Sequence, residues 1–155
     1  MTHKQRLLAR THTRRLLQLA NILEKFRPVN GKRFNMGVWG THALDHHPEE
    51  TDNFCGTAAC ALGHAAMDKG FRQAGLRMEW RLMQAYKGIH GSVPAQYHAT
   101  ICFEECTDEQ AGAAFFGLDD EEAGDVFLYT SRTKSEVVKV LRAYAKNRVE
   151  LRGEE

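Results

Sequence analysis

The side chains most suited to chemistry in this 155-residue chain are its four cysteines and eight histidines. Cys60 and His64 stand at i, i+4, as do Cys102 and Cys106, and His42 and His46. On a helix that spacing brings two ligands to one ion, and zinc takes such a mixture of thiolate and imidazole. No CxxC pair accompanies them, and a strand would hold Cys102 and Cys106 about 13 Å apart. The plainer account is preferred: Cys60 is a small buried apolar residue, His64 a hydrogen-bonded helix residue, and no cofactor is required. A second chemistry is nucleophilic. Cys55 stands at or just before the first turn of an expected helix, where the helix dipole favours a thiolate, and His98 follows far downstream with Glu104 or Asn53 to orient its imidazole. That is the order of a thiol hydrolase, but none of the local signatures of those enzymes surrounds Cys55, so a structural cysteine is preferred. A third chemistry is electrostatic: Arg6, Arg10, Arg14 and Arg15 recur along one segment and could meet nucleic acid or an acidic protein.

The elements that must position these groups follow from periodicity. Leu16, Leu17, Ala20, Leu23 and Phe26 recur at helical spacing, with Leu7 and Leu8 one face earlier, so 1–27 reads as a basic amphipathic helix closed by Pro28. Val29 to Gly40 reads as a loop with one short extended piece at 33–39, and His42 to Asn53 as a polar surface loop. The stretch Cys55-Gly-Thr-Ala-Ala-Cys-Ala-Leu-Gly-His-Ala-Ala-Met67 is nearly all small residues, which let another backbone approach closely. It predicts a buried central helix within 55–70, capped by Asp52, Asn53 or Thr57 and stopped at Gly70. Leu76, Met78, Trp80 and Leu82 alternate with polar residues, as do Ala99, Ile101 and Phe103, giving a β-hairpin over 76–104 with a long connection. Helices are expected over 107–151: Thr107 to Gln110 and Thr133 to Glu136 have the capping-box pattern, and Gly117 ends the first of these helices. The segment 113–123 has a helix-turn-helix shape, but its second helix opens Asp-Asp-Glu-Glu and would repel phosphates, so it reads as a core αα-hairpin.

Composition bounds the rest. The apolar share of 43% and the length indicate one globular domain over 1–155. The net charge of +1 hides a segregation: residues 1–44 carry nine Lys/Arg and one acid, Glu24, whereas residues 104–131 carry nine Asp/Glu and no Lys or Arg. A basic pole and an acidic pole can steer charged partners or further copies of the chain. The N-terminus lacks a secretory apolar run, and although its Arg-rich, acid-poor character suits a transit peptide, its periodicity suits an integral helix better. Reduced cysteines, a cytoplasmic location and no membrane contact are the expectation.

Three motifs taken together, Phe34-Asn-Met-Gly-Val-Trp39, the Cys55-to-Ala65 stretch, and Ala113-Ala-Phe-Phe-Gly-Leu118 with Glu122-Ala123 and Val126-Phe127, resemble a group of small uncharacterised bacterial and phage-encoded proteins. The resemblance covers most of the chain after residue 30 and implies an intracellular, bacterial or mobile-element origin. It transfers no catalytic residue. The fold expected is α+β, predominantly helical, with a small antiparallel hairpin beside the central helix. The function expected is non-catalytic protein interaction or regulation, including self-association. The alternatives are nucleic-acid binding through Arg6, Arg10, Arg14 and Arg15, a zinc site at Cys60 and His64, and a hydrolase using Cys55 and His98.

Overall fold

In the computed structural model of the chain, residues 2–27, 33–34, 41–42, 58–89, 91–129 and 131–153 are described. His46, Asn53 and Cys55 lie outside the described residues, and with them the Cys55–His98 pairing and the His42–His46 spacing. The architecture is α+β and mainly helical, with a small sheet.

Helix α1 spans His3–Lys25. Its start is fixed by reciprocal hydrogen bonds: the Thr2 N–H donates to Gln5 Oε1 (2.7 Å) and the Gln5 N–H to Thr2 Oγ1 (3.3 Å). The buried stripe is Leu16, Leu19, Ala20 and Leu23, while Leu7, Leu8 and Leu17 are exposed. The expectation that Leu7, Leu8 and Leu17 face the core therefore fails: Leu7 and Leu8 lie on the early turns, outside the core, and Leu17 stands about 100° round the helix from the Leu16–Leu23 stripe. The final helix, α6 (Lys134–Gly153), runs antiparallel to α1: Lys134 near its start donates to the Phe26 carbonyl at the end of α1 (2.9 Å), and Arg142 reaches Glu24 (2.7 Å). Thr133 and Glu136 form the anticipated capping box. Val137, Val138, Leu141 and Ala145 supply the buried face of α6.

The central helix exists but is shorter than its sequence pattern suggests. Ala58–Ala59 form a strand, β3, and helix α2 runs over Ala61–Met67, with every residue from 61 to 66 buried. Cys60 is its N-cap, in extended conformation (φ −75°, ψ −177°). The helix stops at Asp68, not Gly70. The Asp68 carboxylate accepts the Phe71 N–H (3.0 Å) and so opens a separate short helix, α3 (Lys69–Gln73), in which Gly70 is an ordinary helical residue. A carboxylate that bonds its own backbone three residues on competes with helix continuation. Gly75, at φ 100°, turns the chain into the sheet.

The sheet is larger than one hairpin. Strands β1 (Arg33–Phe34), β3, β2 (Thr41–His42), β7 (Gln96–Phe103) and β4 (Arg77–Met83) lie in the order β1-β3-β2-β7-β4, with β8 (Cys106–Thr107) also on β7. β4 and β7 pair antiparallel from Arg77 opposite Cys102 to Met83 opposite Gln96, as the alternation requires. Their long connection is itself a small hairpin, β5 (Tyr86–Gly88) with β6 (Gly91–Val93), forming an exposed arm with Ile89 at its tip.

Helix α4 (Asp108–Phe116) ends as anticipated at Gly117, which is left-handed at φ 63°. Its N-cap Thr107 makes no side-chain capping bond. Instead Asp108, at φ 50°, turns its carboxylate back to accept the Ile101 N–H (3.0 Å), tying the helix to β7. Asp119 and Glu122 form a full capping box for α5 (Asp120–Ala123), which continues into a π-helical turn at Gly124–Leu128. Phe115, Phe116, Leu118 and Phe127 are buried, as a core αα-hairpin requires, and Leu128 is exposed.

Candidate functional site

The residues singled out for chemistry separate into three places. Cys60 and His64 are both buried, and the Cys60 carbonyl accepts the His64 N–H (2.9 Å) as the first bond of α2, but Cys60 is the extended N-cap and its side chain is turned to the helix's own backbone. Its thiol instead accepts the Gly63 N–H at 3.5 Å and satisfies one orphan donor of the first turn. Burial pushes that thiol up to about 12, against a smaller opposing effect of the backbone N–H groups. The His64 ring lies 4.4 Å from Phe26 and 5.8 Å from Phe34, nearly parallel to the latter, and so joins α1 and β1 to the central helix. Among the described residues no three His, Cys, Asp or Glu side chains gather as a metal-binding set.

His98 lies on β7 opposite Arg81 of β4 and Thr41 of β2, half-exposed, with its Nε2 3.0 Å from Gln96 Nε2. Glu104 cannot orient it: six residues of extended chain place the turn at Glu104 about 20 Å away. Cys102 and Cys106 are not separated along one strand as expected, because the chain reverses between them. Cys102 faces Thr107 and Phe103 faces Cys106, so the two thiols project to opposite faces of the ladder. Burial, then the nearby Glu79 carboxylate, raises the Cys102 thiol. An outcome follows for thiol reactivity. Of the three described cysteines, half-buried Cys106 should label first with iodoacetamide at neutral pH and Cys60 last, only on unfolding; peptide mapping of timed samples checks the order.

The arginine group divides. Arg15 turns inward: its Nη1 donates to the Phe115 carbonyl (2.7 Å) and its guanidinium lies 3.9 Å over the Phe115 ring. Arg148 of α6 completes the same anchorage, donating to the carbonyls of Phe116 (3.1 Å) and Gly117 (2.6 Å) and to Glu122 (2.8 Å). Two guanidinium groups from the two long helices thus occupy the carbonyl end of α4, where orphan acceptors and the negative end of the helix dipole favour cations. Arg15 is therefore a structural residue and leaves the contact set. His12 sits in this corner, close enough to Gly117 that a Cβ there would collide with its ring. Burial first, then Arg15 and Arg148, holds His12 below its ordinary value of 6.5. The unfolded chain consequently binds a proton that the folded chain refuses, so stability is full above 6.5 and falls as pH drops through that value. Thermal melts across the mildly acidic range should show this decline, and His12→Asn should flatten it.

Arg6, Arg10 and Arg14 remain outside and exposed, four residues apart along one face of α1. Leu7, on the Arg10–Arg14 side of the helix, is 50% exposed and Leu8, further round it, 53%, and α1 carries no carboxylate before Glu24. Together α1 and α6 hold twelve Lys/Arg against three carboxylates, in a chain of 21 against 20, so the rest of the molecule is correspondingly acidic. At the acidic pole, Asp125 accepts from Arg132 and from the Tyr144 hydroxyl (2.9 Å), and burial followed by this bond pushes the Tyr144 phenol up to about 12. Arg148 is not legible in the sequence as a structural anchor, since an arginine bound to backbone carbonyls some thirty residues away leaves no local pattern. Among the described residues no helix is long and apolar enough to cross a membrane. Comparison with known proteins returns no matching family model, no matching curated protein and no matching solved structure.

Proposed function

We propose that this chain is a cytoplasmic, non-catalytic interaction protein of bacterial or phage origin that docks an acidic protein partner through the first half of α1. The observation that carries the reading is the exposed set Arg6, Arg10 and Arg14 with Leu7 and Leu8. Protein interfaces combine apolar and polar parts and are enriched in Arg; Leu7 adjoins Arg10 and Arg14 on one side of α1, and Leu8 extends the apolar surface round the helix. A nucleic-acid backbone would reward the arginines but leave the two leucines without a role. The origin rests on the motif resemblance, and the location on the three described cysteines being free thiols, the ordinary state in a reducing compartment.

The test is quantitative capture from nuclease-treated extract of the native host with three baits: wild type, the triple variant R6E/R10E/R14E, and L7D/L8D. A protein species retained by wild type and lost from both variants supports the reading. Capture that nuclease abolishes, and that only the arginine variant weakens, would replace it with nucleic-acid binding.

A further inference from the structure

Among the described residues β4 is the end strand of its sheet, with β7 its only strand neighbour, which leaves the other edge of Arg77–Met83 without one. A seven-residue edge free of proline is a template for another strand, and proteins usually blunt such edges with charged side chains, proline or bulges. Here the signs alternate. The solvent face reads Arg77, Glu79, Arg81, Met83, and the other face Met78, Trp80, Leu82. Glu79 and Arg81 are exposed, and neither takes part in an ion pair among the described residues.

This pattern is complementary to itself. An antiparallel pairing of β4 with a second β4 about a two-fold axis at Trp80 sets Glu79 opposite Arg81 twice and Met78 opposite Leu82 twice, with Arg77 opposite Met83. All seven residues are used. The neighbouring two-fold registers fail electrostatically: centring on Glu79 opposes Glu79 to itself and Arg77 to Arg81, and centring on Arg81 opposes Arg81 to itself. Like charges directly opposite one another destabilise a strand pair, whereas opposite charges and apolar pairs stabilise it. The same register covers Leu82 and Met83, which are 45% and 47% exposed in the single chain.

We propose that the protein self-associates as a two-fold dimer by antiparallel pairing of β4 with β4 of a second copy, in the register centred on Trp80 and selected by Glu79–Arg81 contacts. The interface is isologous and closes, so it yields a dimer and not a filament. It does not use α1, and the arginine patch stays available for a different partner. Seven paired residues alone bury less than a stable interface needs, so the association is concentration-dependent, with exposed Tyr86 and Ile89 of the arm adding contact area.

Sedimentation velocity with native mass spectrometry tests this. Wild-type protein should shift from monomer to dimer as concentration rises through the micromolar range. E79R, which opposes Arg to Arg, and R81E, which opposes Glu to Glu, should each be monomeric at concentrations where wild type dimerises. An equimolar mixture of the two should recover a dimer, whose mass identifies it as the heterodimer. A wild-type monomer at high micromolar concentration, a dimer that neither variant weakens, or a mixture that stays monomeric would overturn the proposal. If either variant fails to fold, hydrogen exchange of the wild type decides: amides of residues 77–83 should gain protection with concentration, and unchanged protection would overturn it.

Discussion

Phe115→Ala is expected to cost about 4 kcal/mol, a large share of the roughly 5–15 kcal/mol that holds a domain together. Phe115 is fully buried at the meeting point of three elements. Its ring contacts Phe71 of α3 at 5.4 Å, Phe103 of β7 at 5.0 Å and Phe116 of its own helix at 5.0 Å, all edge-to-face. The Arg15 guanidinium covers the ring at 3.9 Å. Truncation opens a cavity between the sheet and the helices and removes the aromatic surface on which α1 is pinned, so the surroundings cannot collapse without moving a long helix. For a chain of this size the melting temperature should fall by about 10 °C. Urea titration with an unchanged slope would confirm a loss of stability rather than of compactness. A cost below about 1 kcal/mol would mean that this cluster does not hold α3, α4 and β7 together.

Arg148→Met is the second large effect, expected at about 3 kcal/mol, because methionine keeps much of the stem packing and removes every donor. The guanidinium serves the Phe116 and Gly117 carbonyls and the Glu122 carboxylate at once, with its side chain only 18% exposed. Removing it strands two backbone acceptors and a carboxylate in a partly buried corner. Arg148→Lys should recover only part of the loss, since an ammonium cannot reproduce a fork that spans three acceptors. Arg142→Met gives the contrast. Its bonds to Glu24 and Asn21 are exposed, and the variant should melt within error of wild type.

What could be read from sequence followed the range of the interactions involved. The αL stop at Gly117 and the capping box at Thr133 are local, and the structure forms each where the pattern indicates, whereas the same pattern at Thr107 gives no side-chain cap because Asp108 turns back to β7. The β4–β7 pairing also showed through, because half-buried strands must alternate. Helix termini set by a competing side chain are less visible: Asp68 ends α2 two residues before Gly70, the expected stop, and Cys60 caps it in place of Asp52, Asn53 or Thr57. The extended piece expected at 33–39 is met at Arg33–Phe34, but the joining of β1, β2 and β3 to the sheet leaves no signal, since two-residue strands carry no periodicity. The arginines were the hardest to sort. Arg14 and Arg15 are neighbours in a basic run, yet one faces solvent and the other binds a carbonyl one hundred residues away. Only the packing of α1 on α4 distinguishes them.

The central claim, that the exposed start of α1 is the working surface, is tested most directly by placing a photo-crosslinking residue at position 7 and irradiating the protein in cells of its native host. The account predicts a discrete adduct to another protein, insensitive to nuclease and lost when Arg6, Arg10 and Arg14 are reversed in charge, with no such adduct from a crosslinker at Glu121. An adduct that nuclease removes, or no adduct from position 7 while position 121 gives one, would contradict it.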